Sequence, residues 1–212
     1  HYTLDGDKVK KIYDWDKDTR GLYEADVPQT TRFLVDQYTD SDEVSEGHRK
    51  LFFDIEVEVT EGFPDVMEAK NKVTSIALYD EVTKEYFCYT LDERGTIQNY
   101  EKGDEKVMFY LTEYEMLTAF YRKYAEISPT ILSGWNSDGF DIPYLYNRIS
   151  KVLGEEFANA LSPIQIVKYN PNKKMYRIAG VSSLDYLDLY RKFTYTQQSS
   201  YRLDHIGTIE VG

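Results

Sequence analysis

The sequence predicts an α/β protein with a mixed central sheet, flanking helices and an inserted β-hairpin. Three observations carry that expectation. Along 51–59, Phe53, Ile55, Val57 and Val59 alternate with Asp54, Glu56 and Glu58, the period-2 pattern of a strand. Strand-like runs at 73–79 and 85–91 come next, joined by the polar segment 80–84 as a hairpin. From Met116 the apolar spacing turns helical, through Leu117, Phe120, Tyr121, Tyr124 and Ile127. Strands first, then helix, strand, helix and strand, describe a mixed sheet with helices on its faces.

Each element has its own signal. Residues 1–48 are acidic and interrupted by Gly6, Gly21, Pro28 and Gly47, which predicts an extended lead-in with short strands at the end of a preceding domain. A second domain then covers 49–212. The segment 61–65 contains Gly62 and Pro64 and reads as a turn. Residues 92–106 are polar and predict a loop, and 107–111 a further short strand. Thr112-Glu113-Tyr114-Glu115 is a capping-box pattern opening a helix of about four turns, which Pro129 ends. A short buried strand is expected at 130–133. A second helix begins near Asp141 and runs through Leu145, Ile149 and Val152 to Gly154, a natural C′ residue. The runs 164–169 and 175–178 flank Asn170-Pro171-Asn172-Lys173, a basic β-hairpin. A strand at 181–184 and a short helix at 186–193 complete the pattern.

Composition narrows the classes. With 42% hydrophobic residues and 20 tyrosines the chain can bury a full core, so global disorder is excluded. No stretch approaches a membrane span, and the polar, charged residues 2–11 are no signal peptide, so a cytoplasmic protein is expected. The single cysteine, Cys88, lies in Tyr86-Phe87-Cys88-Tyr89 and predicts a buried free thiol in a reducing compartment. The net charge of −12 sits entirely in residues 1–106, with 26 acids against 14 bases; 107–212 hold 11 of each. Between 164 and 203 only Asp185 and Asp188 oppose Lys168, Lys173, Lys174, Arg177, Arg191, Lys192 and Arg202. A basic stretch rich in tyrosine suits a nucleic-acid strand, and a solvated basic surface accounts for it equally well. The opening His1 and the ending Glu210-Val211-Gly212 predict an internal piece of a longer protein.

The chemistry begins with Asp54 and Glu56. Side chains at i and i+2 share a strand face, roughly 7 Å apart. Like charges held that close repel and call for a cation between them. Hard ions such as Mg²⁺ or Mn²⁺ take carboxylate oxygen, so the pair reads as half of a metal site; a solvated acidic face is the plain alternative. The second landmark is Gly134-Trp135-Asn136-Ser137-Asp138-Gly139-Phe140-Asp141-Ile142-Pro143-Tyr144. Asp141 stands at a strand-loop-helix junction, where a carboxylate can cap the helix and still face the sheet edge; an N-cap is its plain role. Asn136 and Phe140 place an amide and an aromatic face beside it, suited to a terminal sugar and base.

These two stretches resemble known motifs. Phe53-Asp54-Ile55-Glu56 is similar to the first exonuclease motif of family B DNA polymerases, and the run from Gly134 through Tyr144 to the second. Leu184-Asp185-Tyr186-Leu187-Asp188-Leu189-Tyr190-Arg191-Lys192-Phe193 and Ser200-Tyr201-Arg202-Leu203-Asp204 also resemble that family in order and spacing, with polymerases of large tailed bacteriophages the nearest likeness. The resemblance implies a ribonuclease-H-like fold carrying a 3′–5′ proofreading exonuclease. It implies two divalent ions, Mg²⁺ or Mn²⁺, held by Asp54, Glu56 and Asp141: Asp54 bridging both, Glu56 on the nucleophile side, Asp141 on the leaving-group side. Asn136 and Phe140 would position the 3′-terminal nucleotide. Lys168, Lys173, Lys174 and Arg177 would face phosphates on a hairpin that parts the primer end from its template. The implied partners are single-stranded and primer-template DNA, the remainder of a polymerase chain and a sliding clamp, with no membrane, in a host-cell cytoplasm if viral.

One departure matters. The family's third motif, a tyrosine followed four positions later by an aspartate, is not matched at Tyr201, where Asp204 comes three positions on. The expectation is that this motif lies past Gly212 with the polymerase palm, leaving the isolated chain weakly active or inactive. A non-catalytic DNA-binding or assembly module on the same fold is the alternative. A different metal-dependent hydrolase is a weaker one, and zinc is disfavoured because the histidines, His1, His48 and His205, lie away from both motifs.

Overall fold

Pro28, with φ at −57°, opens ten residues free of glycine and proline, and these form α1 (Gln29–Tyr38). The computed structural model describes the chain apart from residues 1, 3–5, 7, 11, 13, 17, 24–26, 44 and 61. Helix α1 corrects the extended lead-in: an uninterrupted run with an Arg32–Asp36 pair at i,i+4 favours a helix despite its two threonines. The expected short strands of 1–48 come down, among the described residues, to one isolated bridge between Tyr2 and Lys8. The chain divides into two units, 1–46 and 47–212. The second unit holds every strand of both sheets.

Alternation along 51–59 becomes β1 (Lys50–Val57), with Leu51, Phe53 and Ile55 buried and Lys50, Phe52, Asp54 and Glu56 exposed. β2 (Val73–Asp80) and β3 (Glu85–Leu91) are its successive antiparallel neighbours. Asp80 holds their turn, accepting from the Val82 N–H at 3.1 Å and the Thr83 hydroxyl at 3.0 Å and pairing with Arg49. The segment expected to be a loop contains β4 (Tyr100–Lys102), which pairs antiparallel with β5 (Glu105–Tyr110). All three β4 residues are exposed, so no apolar alternation marks it. Strand β5 runs parallel to β3.

Thr112 opens α2 (Glu113–Ile127) by accepting from the Glu115 N–H at 3.2 Å. The helix buries Met116, Leu117, Phe120, Tyr124 and Ile127 against the sheet's Leu51, Phe53, Ile76, Leu78 and Phe87. Each such side chain contributes about 2 kcal/mol of burial. β6 (Ile131–Ser133) pairs parallel with β1, and α3 (Asp141–Val152) packs on the same core. α4 (Glu155–Asn159), which has no sequence forerunner, comes after Gly154. β7 (Val167–Asn170) and β8 (Met175–Ile178) form a separate two-stranded sheet, the inserted hairpin. β9 (Ser182–Ser183) is half the length expected. α5 (Tyr186–Phe193) and α6 (Leu203–Glu210) close the chain, and α6 too has no forerunner in the sequence reading. The sheet order is β4-β5-β3-β2-β1-β6-β9, a mixed seven-stranded sheet with helices packed on it, as expected. The turn expected at 61–65 is described except for Glu61, which lies outside the described residues.

Cys88 is free but half-buried rather than buried, since it lies on the opposite face of β3 from the core residues Phe87 and Tyr89, beside Ser75 and Thr90. No helix among the described residues is long and apolar enough to cross a membrane.

The chain leaves β6 at Gly134, where a Cβ would stand 2.6 Å from the Phe53 carbonyl oxygen. Backbone cannot yield there as a side chain would. Gly134→Ala is expected to lower the urea midpoint, with a loss of about 1–3 kcal/mol; an unchanged midpoint would show that the strands separate at no cost.

Candidate functional site

β1 and β6 pair only from Lys50↔Ile131 to Phe52↔Ser133. Past Ser133 the chain turns away and β1 runs on without a strand on that side. A buried backbone N–H there needs another partner. The Ile55 N–H finds it in Asp141, whose Oδ1 accepts at 3.0 Å. Asp141 is the first residue of α3 and 3% exposed. The helix cap position is Phe140, with no side-chain cap bond, so the capping role considered for Asp141 does not hold. Its carboxylate spans instead to the strand, between the Cα positions of Asp54 and Glu56, at the positive end of the helix.

Burial raises the Asp141 pKa to about 7, the Ile55 N–H opposing and the Asp54 charge adding to the rise. The Asp54 pKa is also raised, by partial desolvation first and then by the Glu56 charge. Neighbouring carboxylates, two of which hold their protons more tightly than in water, are a donor set of hard oxygens suited to a divalent cation. Among the described residues, no three His, Cys, Asp or Glu side chains stand close enough together to hold one ion as placed. Asp54 and Glu56 are on the exposed face of β1, where rotamers exchange within nanoseconds. In donor chemistry alone, the carboxylates of Asp54, Glu56 and Asp141 suit Mg²⁺ or Mn²⁺.

One recess borders Glu56 and a second lies at the hairpin. The first, of about 350 Å³, is lined by Ile55, Glu56, Val57, Val59, Phe63 and Phe140 among others. The Phe140 ring lies 5.2 Å from Phe63 and 5.5 Å from Tyr144. Phe63 itself is 83% exposed, an aromatic face offered to solvent at the rim. The other recess, of about 530 Å³, lies between the hairpin and β9, with Lys173 and Arg177 from the hairpin facing Asp138 and Ser183. Lys168 and Lys174 are exposed on the same hairpin but do not line it. Asn136 is exposed in a left-handed conformation, φ 61°, and a Cβ on Gly139 would approach its Oδ1 to 2.7 Å.

Of the residues singled out from sequence, Asp141 bonds to β1 at Ile55, the residue between Asp54 and Glu56, Phe140 shares a recess with Glu56, Asn136 sits on the adjoining loop, and the four hairpin cations divide two and two. Sequence reasoning missed Phe63. Its signal was available: an aromatic between Gly62 and Pro64, seven positions past Glu56, in a turn where it has no core to fill. It also gives Asp185 no role, although this residue is buried and accepts three backbone N–H bonds.

The mixed seven-stranded sheet with helices packed on it is consistent with the class of ribonuclease-H-like exonuclease domains. The profile described as DNA polymerase family B, exonuclease domain, matches residues 38–206, and the chain belongs to that family. It is 33% identical over 209 residues to the DNA-directed DNA polymerase of Escherichia phage RB69, a match covering 84% of this chain and 23% of the relative. The DNA-directed DNA polymerase of Enterobacteria phage T4 is 33% identical over 183 residues, 73% of this chain and 20% of the relative. A DNA polymerase of Pyrococcus glycovorans is 30% identical over 132 residues, 62% of this chain and 15% of the relative. The chain thus spans less than a quarter of the length of these phage relatives.

Proposed function

We propose that this chain is a 3′–5′ proofreading exonuclease domain acting on the 3′ end of single-stranded DNA. The observation that carries the reading is the Asp141 carboxylate seated on the N–H of Ile55, the residue that separates Asp54 from Glu56 along β1. In this reading Asp54, Glu56 and Asp141 hold divalent ions. When bound, such ions supply a nucleophile from water at neutral pH and neutralise charge on the phosphate. The Ile55 N–H holds Asp141 in register with β1. Phe140 and Phe63 offer their ring faces to the terminal bases, and Asn136 an amide to the terminal sugar. Lys173 and Arg177 attract the strand's phosphates into the hairpin recess, with Lys168 and Lys174 adding charge outside it. The water oxygen joins phosphorus, the bond to the 3′ oxygen breaks, and a nucleoside 5′-monophosphate leaves a shortened strand with a 3′ hydroxyl.

Primer-template DNA and the rest of a polymerase chain are the proposed partners, in the cytoplasm where DNA is copied; a sliding clamp would act through other parts of such a polymerase. Because Tyr201 and Asp204 do not form the family's third motif, turnover by residues 1–212 alone is expected to be weak. Digestion of a 5′-labelled single strand in Mn²⁺ tests the reading. Mononucleotide release from the 3′ end, reduced at least about 100-fold in Asp54→Ala, is the expected result. Equal rates in the two proteins would remove Asp54 from the chemistry. Where turnover is too slow to follow, loss of Mn²⁺ binding in the same variant decides.

A further inference from the structure

Asp185 is only 6% exposed and lies more than forty residues after the loop that leads into Asp141. Its Oδ1 accepts from the Asn136 N–H at 3.0 Å and the Leu187 N–H at 2.9 Å, and its Oδ2 from the Asp138 N–H at 3.0 Å. One bond caps α5; the other two reach across to the loop after β6. The surrounding backbone is tied the same way. The Tyr186 N–H donates to the Gly134 carbonyl at 2.8 Å, the Ser133 hydroxyl to the Leu184 carbonyl at 2.8 Å, and the Ser183 hydroxyl to Asp138 at 2.5 Å.

The loop so held passes its position on. Asn136 takes a left-handed φ of 61°, a conformation that asparagine tolerates better than most non-glycine residues. Its carbonyl accepts from the Gly139 and Phe140 N–H groups at 3.1 and 3.0 Å, and the Ser137 carbonyl from the Ile142 N–H at 2.9 Å. Those bonds set the first turn of α3, and with it the Asp141 carboxylate. A carboxyl group has two oxygens that can each accept more than one backbone N–H, so a buried aspartate is well suited to the task.

We infer that Asp185 is a positioning residue: it clamps the loop 134–140 so that Asp141 reaches the Ile55 N–H. The consequence for ion binding rests on the exonuclease reading; the clamp itself does not. Asp185→Ser separates the two jobs, because a serine at this position still caps α5 and is too short to reach the loop. Amide hydrogen exchange is read at Asn136, Asp138 and Ile55, with the amides of β3 as reference, and Mn²⁺ binding by electron paramagnetic resonance. In Asp185→Ser, exchange at the three amides is expected to rise at least about tenfold and Mn²⁺ affinity to fall about tenfold, with β3 unchanged. Wild-type protection at Ile55 in this variant would overturn the inference and leave Asp185 a helix cap. If Asp185→Ser does not fold, the isosteric Asp185→Asn, which cannot accept from all three N–H groups, is read in the same way. If the wild-type chain binds no Mn²⁺, the metal reading fails on its own, and exchange at Ile55 still decides the role of Asp185.

Discussion

Asp141→Asn is expected to make the chain more stable at pH 8 and, on the exonuclease reading proposed above, to abolish whatever cleavage of DNA the chain performs. Burial raises the Asp141 pKa from 3.8 to about 7. The native state therefore holds this proton more tightly than the unfolded chain does. Its contribution to stability is fully present below about pH 4 and is lost as the pH rises towards 7, by up to about 4 kcal/mol. Asparagine keeps an oxygen to accept the Ile55 N–H and carries no charge at any pH. The variant should match wild type at pH 4 and exceed it by about 2–4 kcal/mol at pH 8, as read from urea unfolding at both. Mn²⁺ added to wild type at pH 8 should recover much of the difference, since an ion that binds the native state stabilises it. Equal stability of the two proteins at pH 8 would mean that Asp141 carries no desolvated charge.

Arg148→Met is expected to cause a loss of about 3–5 kcal/mol, because it leaves one member of a buried ion pair alone. Arg148 and Glu113 join α3 to α2 through two bonds, at 2.8 and 2.6 Å, and their side chains are 13% and 7% exposed. Glu113 also accepts the Val73 N–H at 2.8 Å, at the start of β2. Arg148 in turn donates to the carbonyls of Ala69 and Lys70, at 3.1 and 2.7 Å. On the same helix Asn147 donates to the Val66 carbonyl, Lys151 to that of Glu68, and the Tyr144 hydroxyl to that of Asn71. The segment carrying Phe63 is thus fastened to α3 at its backbone. The urea midpoint should fall with an unchanged slope, and amide exchange along 66–71 should quicken more than in β3. The double variant Glu113→Leu with Arg148→Met should recover part of the loss, since neither charge is then left unpaired. A single variant as stable as wild type would show that the pair is solvated.

Long periodic elements are legible in the sequence. β1, β2, β3, α2 and α3 each repeat their apolar residues at the spacing of one buried face, and the turn at Asn170 supplies its own side-chain bonds to the N–H groups of Asn172 and Lys173. The short elements are not. β4 and β9 have three and two residues, too few to show a period, and exist because a neighbouring strand offers its free edge. Helix α1 is hidden because its flanking glycines and proline outweigh the uninterrupted run between them.

Residue order alone establishes that Asp54 and Glu56 share a strand face, because the pleat has period 2, and that a second acidic motif stands where a strand gives way to a helix. It also carries the likeness to family B exonuclease domains. That β6 stops short of Ile55, so that Asp141 completes the hydrogen bonding of β1 instead of capping its own helix, emerges only in the packed fold. Only there does Asp185 meet a loop more than forty residues earlier. An unpaired backbone N–H and a desolvated charge arise from which elements are neighbours, and neighbours are chosen by packing of the whole sheet rather than by any local run of residues.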